Sequence, residues 1–313
     1  MIPTIEYFLE QEIYPIALEL DRDFSQLKAA LLKLGHHHWL GLKIPPSYGG
    51  HGYSAQDYAS IQIALTRASG ILAFVQTQHQ SCGAIIAQGD NVPLQQQYLP
   101  AMVEGKTLMG ISFSHLRRSG SPMVVATSHR CGGYELNGVL PWITGYGLFQ
   151  KILIAATLKT GEELYGLVNF ENSETMELSP PMELVTFAVA QTVKARLHNL
   201  ILKPEQIVKI DPPGQIHRRD RANVLSGAPF CLGCSQRAIE VMKQLMLTNA
   251  AEASIQEQLH RTEQLWLQFH HQLIHEIAAD NHGEQNGQKD EAHLQLRAQI
   301  INFMFHCVQQ LII

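Results

Sequence analysis

Residues 133–145 have the sequence Gly-Tyr-Glu-Leu-Asn-Gly-Val-Leu-Pro-Trp-Ile-Thr-Gly and contain the strongest local structural signal in the chain. Apolar residues lie on both sides of Asn137-Gly138, and this dipeptide favours a two-residue turn because both of its residues accept positive φ. Upstream, residues 111–115 (Ile-Ser-Phe-Ser-His) are predicted to form a short strand that leads into a polar loop at residues 117–121, which contains Gly120-Ser121. The sequence therefore predicts a β-hairpin beside a strand, with backbone N–H groups and hydroxyls that suit a ligand.

Short β-rich runs surround this hairpin, with Gly, Asn and Pro between them. Their regular spacing predicts a barrel or sandwich-like sheet rather than βαβ units. The predicted strands cover residues 108–113, 124–128, 134–137, 151–157, 164–170, 184–189 and 194–202.

Helical patterns flank the β-rich region on both sides. Between residues 5 and 42 apolar residues recur at intervals of three and four, and Pro15 interrupts the first run. Ser54 is a suitable N-cap for a helix over residues 55–67. Helical runs return from about Asn223, and the Gly- and Asn-rich segment 280–290 is predicted to be a loop. We therefore predict an α+β multidomain protein with a helical part at 1–105, a β-domain at 106–212 and a shortened helical part at 213–313.

Composition excludes several classes of partner. The 313-residue chain is 45% hydrophobic and has a net charge of −5, which gives no general attraction to nucleic acid or to an anionic membrane. Glu6, Glu10 and Glu12 lie where a signal peptide needs a basic and then an apolar run. The odd count of five cysteines favours a reducing compartment. We expect a cytoplasmic protein with no nucleic-acid or membrane partner.

The order of several motifs resembles the acyl-CoA dehydrogenase family. Gly41-Leu-Lys-Ile-Pro45 and Tyr48-Gly-Gly-His-Gly52 resemble its amino-terminal signature, and Gln97-Tyr-Leu-Pro100 resembles the lead into its β-domain. Gly120-Ser121 and then Trp142-Ile-Thr144 resemble the β-domain itself. The resemblance extends from about residue 5 to residue 245.

This resemblance implies an FAD-dependent oxidoreductase that transfers hydride from an acyl thioester, such as an acyl-CoA, to the flavin. It also implies a homo-oligomer, dimer or tetramer, and an electron acceptor that the motifs do not identify. The flavin's polar edge would meet residues 112–115, its ring face and N5 side would meet residues 142–144, and Ser121 would lie near a phosphate or the thioester chain. The implied cofactor-binding residues are Ser112, Phe113, Ser114, His115, Ser121, Trp142, Ile143 and Thr144. Trp, Ile and Thr also suit a half-buried strand, so a pure packing role is the alternative.

The chain departs from the family pattern at the loop after residue 113. Where the family has Thr-Glu-Pro, this chain has Ser114-His115-Leu116, followed by an apparent insertion with Arg117-Arg118 and by Pro122 in place of Asp. Guanidinium groups suit phosphate oxygens, which would favour a phosphate-bearing group here. Solvated loop charges are the alternative.

A catalytic base is not identifiable from the motifs. Most family members place this carboxylate on helices that would follow residue 313, and a minority place it where Asn223 aligns. An amide does not take up a proton as a carboxylate does, so we expect impaired dehydrogenation. Two alternatives remain open: a flavin-dependent monooxygenase-like member and a catalytically silent binding protein.

No metal site is predicted. Cys231 and Cys234 form an isolated C-x-x-C within a predicted helix, and no second pair completes a zinc site. His271 and His275 share a helix face, but Gln272 occupies the position of the general-base Glu in H-E-x-x-H.

Overall fold

The computed structural model describes residues 4–130, 132–248, 253–280 and 287–311. Contacts between residues group the chain into two compact units. The first unit contains Met1–Ala17, Tyr53–Ala73 and Asp220–Ile313, and the second contains Leu18–Gly52 and Phe74–Arg219. The three-part division inferred from the sequence stays a prediction.

Helices begin and end close to where the apolar periodicity placed them. Ser54 caps the helix that follows it, since its Oγ accepts the Asp57 N–H at 3.2 Å, which confirms the predicted cap. Pro15 lies in a 3₁₀ helix, Tyr14–Ile16, that follows a π-helical turn, Leu9–Ile13. The described α-helices are α1 (Ile5–Phe8), α2 (Ala17–Leu20), α3 (Phe24–His36), α4 (Ala55–Ala68), α5 (Gly70–Ala87), α6 (Val92–Val103), α7 (Gln215–Ala222), α8 (Ala228–Thr248), α9 (Ala253–Asp280) and α10 (Gly287–Gln309).

The β-rich region folds into one mixed sheet, which confirms a central β-domain. Its strands are β1 (Met109–Ser112), β2 (Val124–Ser128), β3 (Tyr134–Ile143), β4 (Lys151–Leu158), β5 (Glu163–Asn169), β6 (Met176–Leu178), β7 (Val193–Leu202) and β8 (Ile207–Asp211). The order is β6-β7-β3-β2-β4-β5-β8, and β1 pairs with β4. β1 and β2 run parallel to β4, and the other pairs are antiparallel.

The predicted hairpin at Asn137-Gly138 is wrong. β3 continues through both residues and pairs with β2 on one side and β7 on the other. Between Leu136 and Gly138 the register with β7 shifts, and the Asn137 Oδ1 accepts the N–H of Asn199 at 2.8 Å. Asn137-Gly138 therefore accompanies a β-bulge rather than a turn. The Asn137 side chain bonds the backbone of β7 at the bulge, and Gly138 has no Cβ to clash with Met123.

The strand predicted at residues 184–189 is also wrong. This region is irregular and ends in a 3₁₀ helix, Ala188–Ala190, flanked by Phe187 and Gln191 in the left-handed conformation. Local turns replace strand pairing here, since the Leu184 N–H donates to the Met182 carbonyl at 3.0 Å and the Ala190 N–H donates to the Phe187 carbonyl at 3.0 Å. The apolar composition of the segment indicated burial in a sheet, but the segment instead forms part of a cavity wall.

The remaining expectations concern the helical unit. Cys231 and Cys234 lie in α8, as predicted, and the described residues contain no cluster of potential metal ligands. Among those residues no helix has the length and apolarity needed to cross a membrane. The predicted loop at 280–290 overlaps α10, which begins at Gly287, and its residues 281–286 lie outside the described part of the chain.

The core of the first unit forms where α4, α8, α9 and α10 pack together. Leu232 and Leu273 are fully buried in it, and Trp266 Nε1 donates to the Leu232 carbonyl at 2.9 Å. Arg67 joins α4 to α8 through a 2.5 Å ion pair with Glu240 and also pairs with Glu10 at 2.9 Å. Packing of apolar helix faces therefore stabilises this unit, with a bridged charge at its edge.

His79 of α5 is fully buried in the second unit, where its ring contacts α6 and β1. Its Nδ1 accepts the Met109 N–H at 3.0 Å, so its Nε2 is the donor to the Met102 carbonyl at 3.1 Å. Burial lowers the pKa of this imidazole to about 4. The ring is therefore neutral near pH 7, with both nitrogens satisfied.

Gly138 of β3, which lies opposite the bulge in β7, allows a test of backbone strain. Gly138 has a φ of +143°, and a Cβ at this position would lie 2.0 Å from the Met123 carbonyl oxygen. We expect Gly138→Ala to lower the free energy of unfolding by about 3 kcal/mol or more, as measured by urea denaturation. Gly120→Ala is the control, because Gly120 has a φ of +97° with nothing within 4 Å, and should cost only about 1 kcal/mol. Equal losses in the two variants would contradict the assignment of a backbone clash at Gly138.

The neutral state of His79 generates a pH dependence of stability. In the unfolded chain His79 becomes protonated below its ordinary pKa of 6.5, whereas in the folded protein it stays neutral until about pH 4. His79 therefore favours unfolding increasingly as the pH falls through this window, by up to about 1.4 kcal/mol per pH unit. Glutamine retains one acceptor and one donor but does not titrate, so His79→Gln should flatten the slope of unfolding free energy between these pH values. An unchanged slope would show that His79 does not contribute.

Candidate functional site

The second unit contains a cavity of about 490 Å³. Its wall is built from α5, the turn after β1, the end of β3 and the irregular segment before β7. Hydroxyl, aromatic and aliphatic side chains face it. The lining residues are Phe74, Gln78, Ile111, Ser112, Phe113, Ser114, Arg117, Trp142, Thr144, Leu184, Val185, Thr186, Phe187 and Thr192.

A 3₁₀ helix, Ser114–Arg117, determines which residues after β1 face the cavity. In this helix type residues three apart share a face, and Ser114 and Arg117 both line the wall. His115 lies on another face, where its Nε2 is 3.1 Å from the carbonyl oxygen of Ala155 in β4. Burial lowers the pKa of His115 to about 4, so this ring is neutral near pH 7.

The end of β3 supplies the residues opposite this turn. Trp142 is 47% exposed although it lies in a strand, and its carbonyl accepts a hydrogen bond from Ser112 Oγ at 3.2 Å. The hydroxyls of Thr144 and Thr192 are 3.2 Å apart. Since one bond between two hydroxyls uses only one of their hydrogens, the pair retains a hydrogen that can be donated to a ligand.

Aromatic side chains form much of the cavity wall. Phe74 of α5 stacks on Phe187, with ring centroids 5.0 Å apart and planes 13° apart. Phe113 meets Tyr165 edge-on at 5.9 Å. Tyr165 lies behind the wall, so four aromatic side chains line the described cavity and are available to a planar ligand: Phe74, Phe113, Trp142 and Phe187.

One charged side chain, Arg117, lines the cavity within the described part of the chain. Its Cζ lies 5.6 Å from the centroid of the Phe113 ring, a distance suited to a cation–π contact. No carboxylate belongs to this described lining. The cavity therefore presents hydroxyls, rings and a single positive charge.

Five of the residues implied by the motifs come together at this cavity: Ser112, Phe113, Ser114, Trp142 and Thr144. The side chain of Ile143 is fully buried, His115 is buried behind the wall, and Ser121 is exposed on the following loop. Asn223 lies in the first unit, immediately before the 3₁₀ helix Val224–Gly227. Their roles, like those of the five lining residues, stay predictions.

The motif pattern missed the residues that reach the cavity from elsewhere in the sequence. Phe74 and Gln78 lie on a helix of small residues, and Phe187 lies in a segment predicted to be a strand. Nothing in the local sequence marks these side chains, because their role depends on contacts between distant segments. The run of four consecutive exposed residues at 185–188 does distinguish the segment from a strand, but only once the structure is known.

Comparisons with known proteins agree with this architecture. Residues 1–106 match the model of the acyl-CoA dehydrogenase N-terminal domain. The 3-(aryl)acrylate reductase of Clostridium sporogenes is 25% identical over 217 residues, which is 67% of this chain and 56% of that protein. The chain spans about half the length of the curated relatives it matches.

Solved structures show the same fold. Butyryl-CoA dehydrogenase from Megasphaera elsdenii superimposes with a TM-score of 0.78 at 16% identity, covering 96% of this chain and 84% of that one. An acyl-CoA dehydrogenase complexed with FAD from Bacillus anthracis has a TM-score of 0.73 at 19% identity, covering 96% and 54%. Helices, a central mixed sheet and further helices thus define an acyl-CoA dehydrogenase fold. The resemblance inferred from the motifs is confirmed: the chain is similar to acyl-CoA dehydrogenases in sequence and in fold.

Proposed function

We propose that the chain is an FAD-dependent oxidoreductase of the acyl-CoA dehydrogenase type, which transfers hydride from an acyl thioester to the flavin. One observation supports this most strongly. Trp142 of β3, Thr144 immediately after β3 and Ser114 of the turn after β1 come from two separate segments but line one cavity. The similarity to dehydrogenases and a reductase favours a dehydrogenase-type enzyme over the monooxygenase-like and catalytically silent alternatives.

The residues of this cavity fit a flavin ring. The volume of about 490 Å³ lies within the range of roughly 300–1,000 Å³ that is usual for small-molecule sites. A flavin is planar and aromatic and has polar atoms along its edges. Stacked and edge-on rings suit its faces, and the Thr144–Thr192 hydroxyl pair suits a polar edge.

FAD, when bound, would supply the hydride acceptor. The chain's own residues then position the ligand and exclude water. The Ser112 hydroxyl donates a hydrogen bond to the Trp142 carbonyl, and this bond links the end of β1 to the end of β3. Thr144 donates its hydroxyl hydrogen to the ligand when Thr192 donates to Thr144, which stabilises negative charge on the acceptor.

The described lining of this cavity contains no carboxylate that could remove the α-proton of the thioester. Abstraction of an α-proton needs a base within hydrogen-bond reach, and none of the described lining residues is a carboxylate. His115 is neutral but is buried behind the wall. We therefore propose that binding is retained and that deprotonation limits turnover.

The partners and location follow from the same proposal. An acyl-CoA or a related thioester is the donor, and an unidentified acceptor reoxidises the flavin. A cytoplasmic dimer or tetramer remains part of the proposal. Self-association is checked by the mass of the purified chain in solution.

Thr144→Val tests the hydroxyl pair. The change removes a hydrogen bond worth about 0.5–1.5 kcal/mol, so the dissociation constant for FAD should rise by roughly threefold to tenfold. Flavin fluorescence during titration measures this. Thr127→Val is the control, because Thr127 is exposed on β2 and away from the cavity wall. Equal affinities in the parent and Thr144→Val would remove Thr144 from the site.

Anaerobic mixing of FAD-loaded protein with butyryl-CoA tests the chemical step. We expect slow bleaching of the flavin, since a missing general base costs about 10²- to 10⁴-fold. The rate should rise with pH without a plateau, because hydroxide then removes the proton. Pivaloyl-CoA, whose α-carbon carries no hydrogen, should leave the flavin oxidised.

Two outcomes of this experiment contradict parts of the proposal. Prompt bleaching that reaches a plateau with pH would reveal a base outside the described cavity wall. A flavin that stays oxidised with butyryl-CoA and other saturated acyl-CoAs at every pH would argue against acyl thioester oxidation.

A further inference from the structure

The long connection between β6 and β7 supplies part of the cavity wall. Leu184, Val185, Thr186 and Phe187 follow one another in sequence, and all four line the cavity. Successive side chains of a strand point to opposite sides, so a strand lying along the wall would contribute only alternate residues. Val185 lines the cavity and yet is fully exposed. The segment therefore lies along the rim of the cavity, between its interior and solvent.

Both ends of this segment are fixed to neighbouring parts of the second unit. On one side the Met182 N–H donates to the Thr192 carbonyl at 2.8 Å. On the other side Ala190 is fully buried, and its carbonyl accepts the Gly145 N–H at 2.8 Å. Residues 183–187 lie between these two anchors, and we call them the flap.

The flap has one aromatic contact with another wall of the cavity. Its hydrogen bonds to described residues stay local, since the Leu184 N–H donates to the Met182 carbonyl and the Phe187 carbonyl accepts the Ala190 N–H. The Phe187 ring, in contrast, stacks on Phe74 of α5, with centroids 5.0 Å apart. This stack therefore connects the flap to α5.

The backbone of Phe187 is strained in this position. Its φ is +61°, in the left-handed region that a bulky L residue rarely adopts. Such conformations persist where surrounding contacts hold them, and they concentrate at ligand clamps and switch regions. The stack with Phe74 opposes the ordinary backbone preference of Phe187, so loss of the stack favours release of the flap.

We propose that the flap controls ligand exchange at this cavity and that the Phe74–Phe187 stack holds the flap closed. The inference rests on the proposed flavin site and adds a gate to it. Opening of the flap removes part of the wall and exposes the remaining lining to solvent. A planar ligand then enters and leaves faster when the stack is lost, because opening precedes both steps.

Proteolysis of the ligand-free full chain measures opening of the flap. Glu183 lies in the flap, and cleavage after it by a glutamate-specific protease follows the population of the opened segment. Phe74→Leu removes the partner ring without changing the sequence of the flap, and it should accelerate this cleavage by roughly twofold to tenfold. Cleavage after Glu171, in the loop between β5 and β6, is the internal reference and should keep its rate.

Two further variants separate the role of the stack from other effects of the substitution. Phe187→Leu removes the other ring of the stack from a partly exposed position, so it should accelerate cleavage like Phe74→Leu. Phe74→Tyr keeps a ring on α5 and should behave like the parent chain.

Stopped-flow flavin fluorescence measures entry of FAD. Phe74→Leu should raise the association rate constant by roughly twofold to tenfold and the dissociation rate constant at least as much. Phe113→Leu is the matched control, because Phe113 also lines the cavity but packs edge-on against Tyr165. Loss of this ring should raise the dissociation rate constant and leave the association rate constant unchanged.

Faster cleavage after Glu183 together with faster association of FAD supports the inference. Unchanged cleavage in Phe74→Leu and Phe187→Leu overturns it, as does equal acceleration after Glu171, which would indicate general loosening. Faster cleavage with unchanged association also overturns it, because the flap would then open without controlling entry. Failure of FAD to bind the parent chain would instead contradict the proposed flavin function, and cleavage after Glu183 would still decide whether the stack holds the flap closed.

Discussion

His115 joins the turn after β1 to β4 through a hydrogen bond of 3.1 Å between its Nε2 and the Ala155 carbonyl. This bond continues the parallel pairing of β1 with β4, in which Ser112 lies opposite Ile154. The carbonyl can only accept, so Nε2 carries the hydrogen. Nδ1 is buried without a hydrogen-bond partner among the described residues, and protonation there would leave a buried donor unsatisfied. The ring's pKa of about 4 is the consequence of this burial.

The hydrogen bond between His115 and Ala155 determines which side chains of the turn after β1 face the cavity. With His115 directed into the protein, the 3₁₀ period directs Ser114 and Arg117 to the wall. Ser112 then reaches the Trp142 carbonyl and aligns the end of β3 with the turn. The described lining of the resulting cavity combines aromatic side chains, a hydroxyl pair and one cationic side chain.

The order of helices, sheet and helices was predictable, because motif spacing and periodicity extend over long segments and do not depend on any one contact. Local signals were less reliable. Asn137-Gly138 predicted a hairpin, yet the same chemistry supports a bulge that Asn199 on β7 completes. Only the pairing of distant strands distinguishes the two outcomes.

The candidate site was predictable in part for the same reason. Trp142 and Thr144 were identified through the motif, but Phe74 and Phe187 were missed because their stacking joins segments more than 100 residues apart. Nor does the sequence show that Arg117 lines the cavity, because that depends on the phase of one short helix. Side-chain direction, rather than residue type, was the missing information.

The central claim is that the cavity bordered by Trp142, Thr144 and Ser114 holds a flavin ring. A crystal structure of the chain grown with saturating FAD tests it most directly. The account predicts electron density for the ring in contact with Trp142 and Thr144. Density for the flavin at another surface, or a cavity without flavin in crystals grown at saturation, would contradict it.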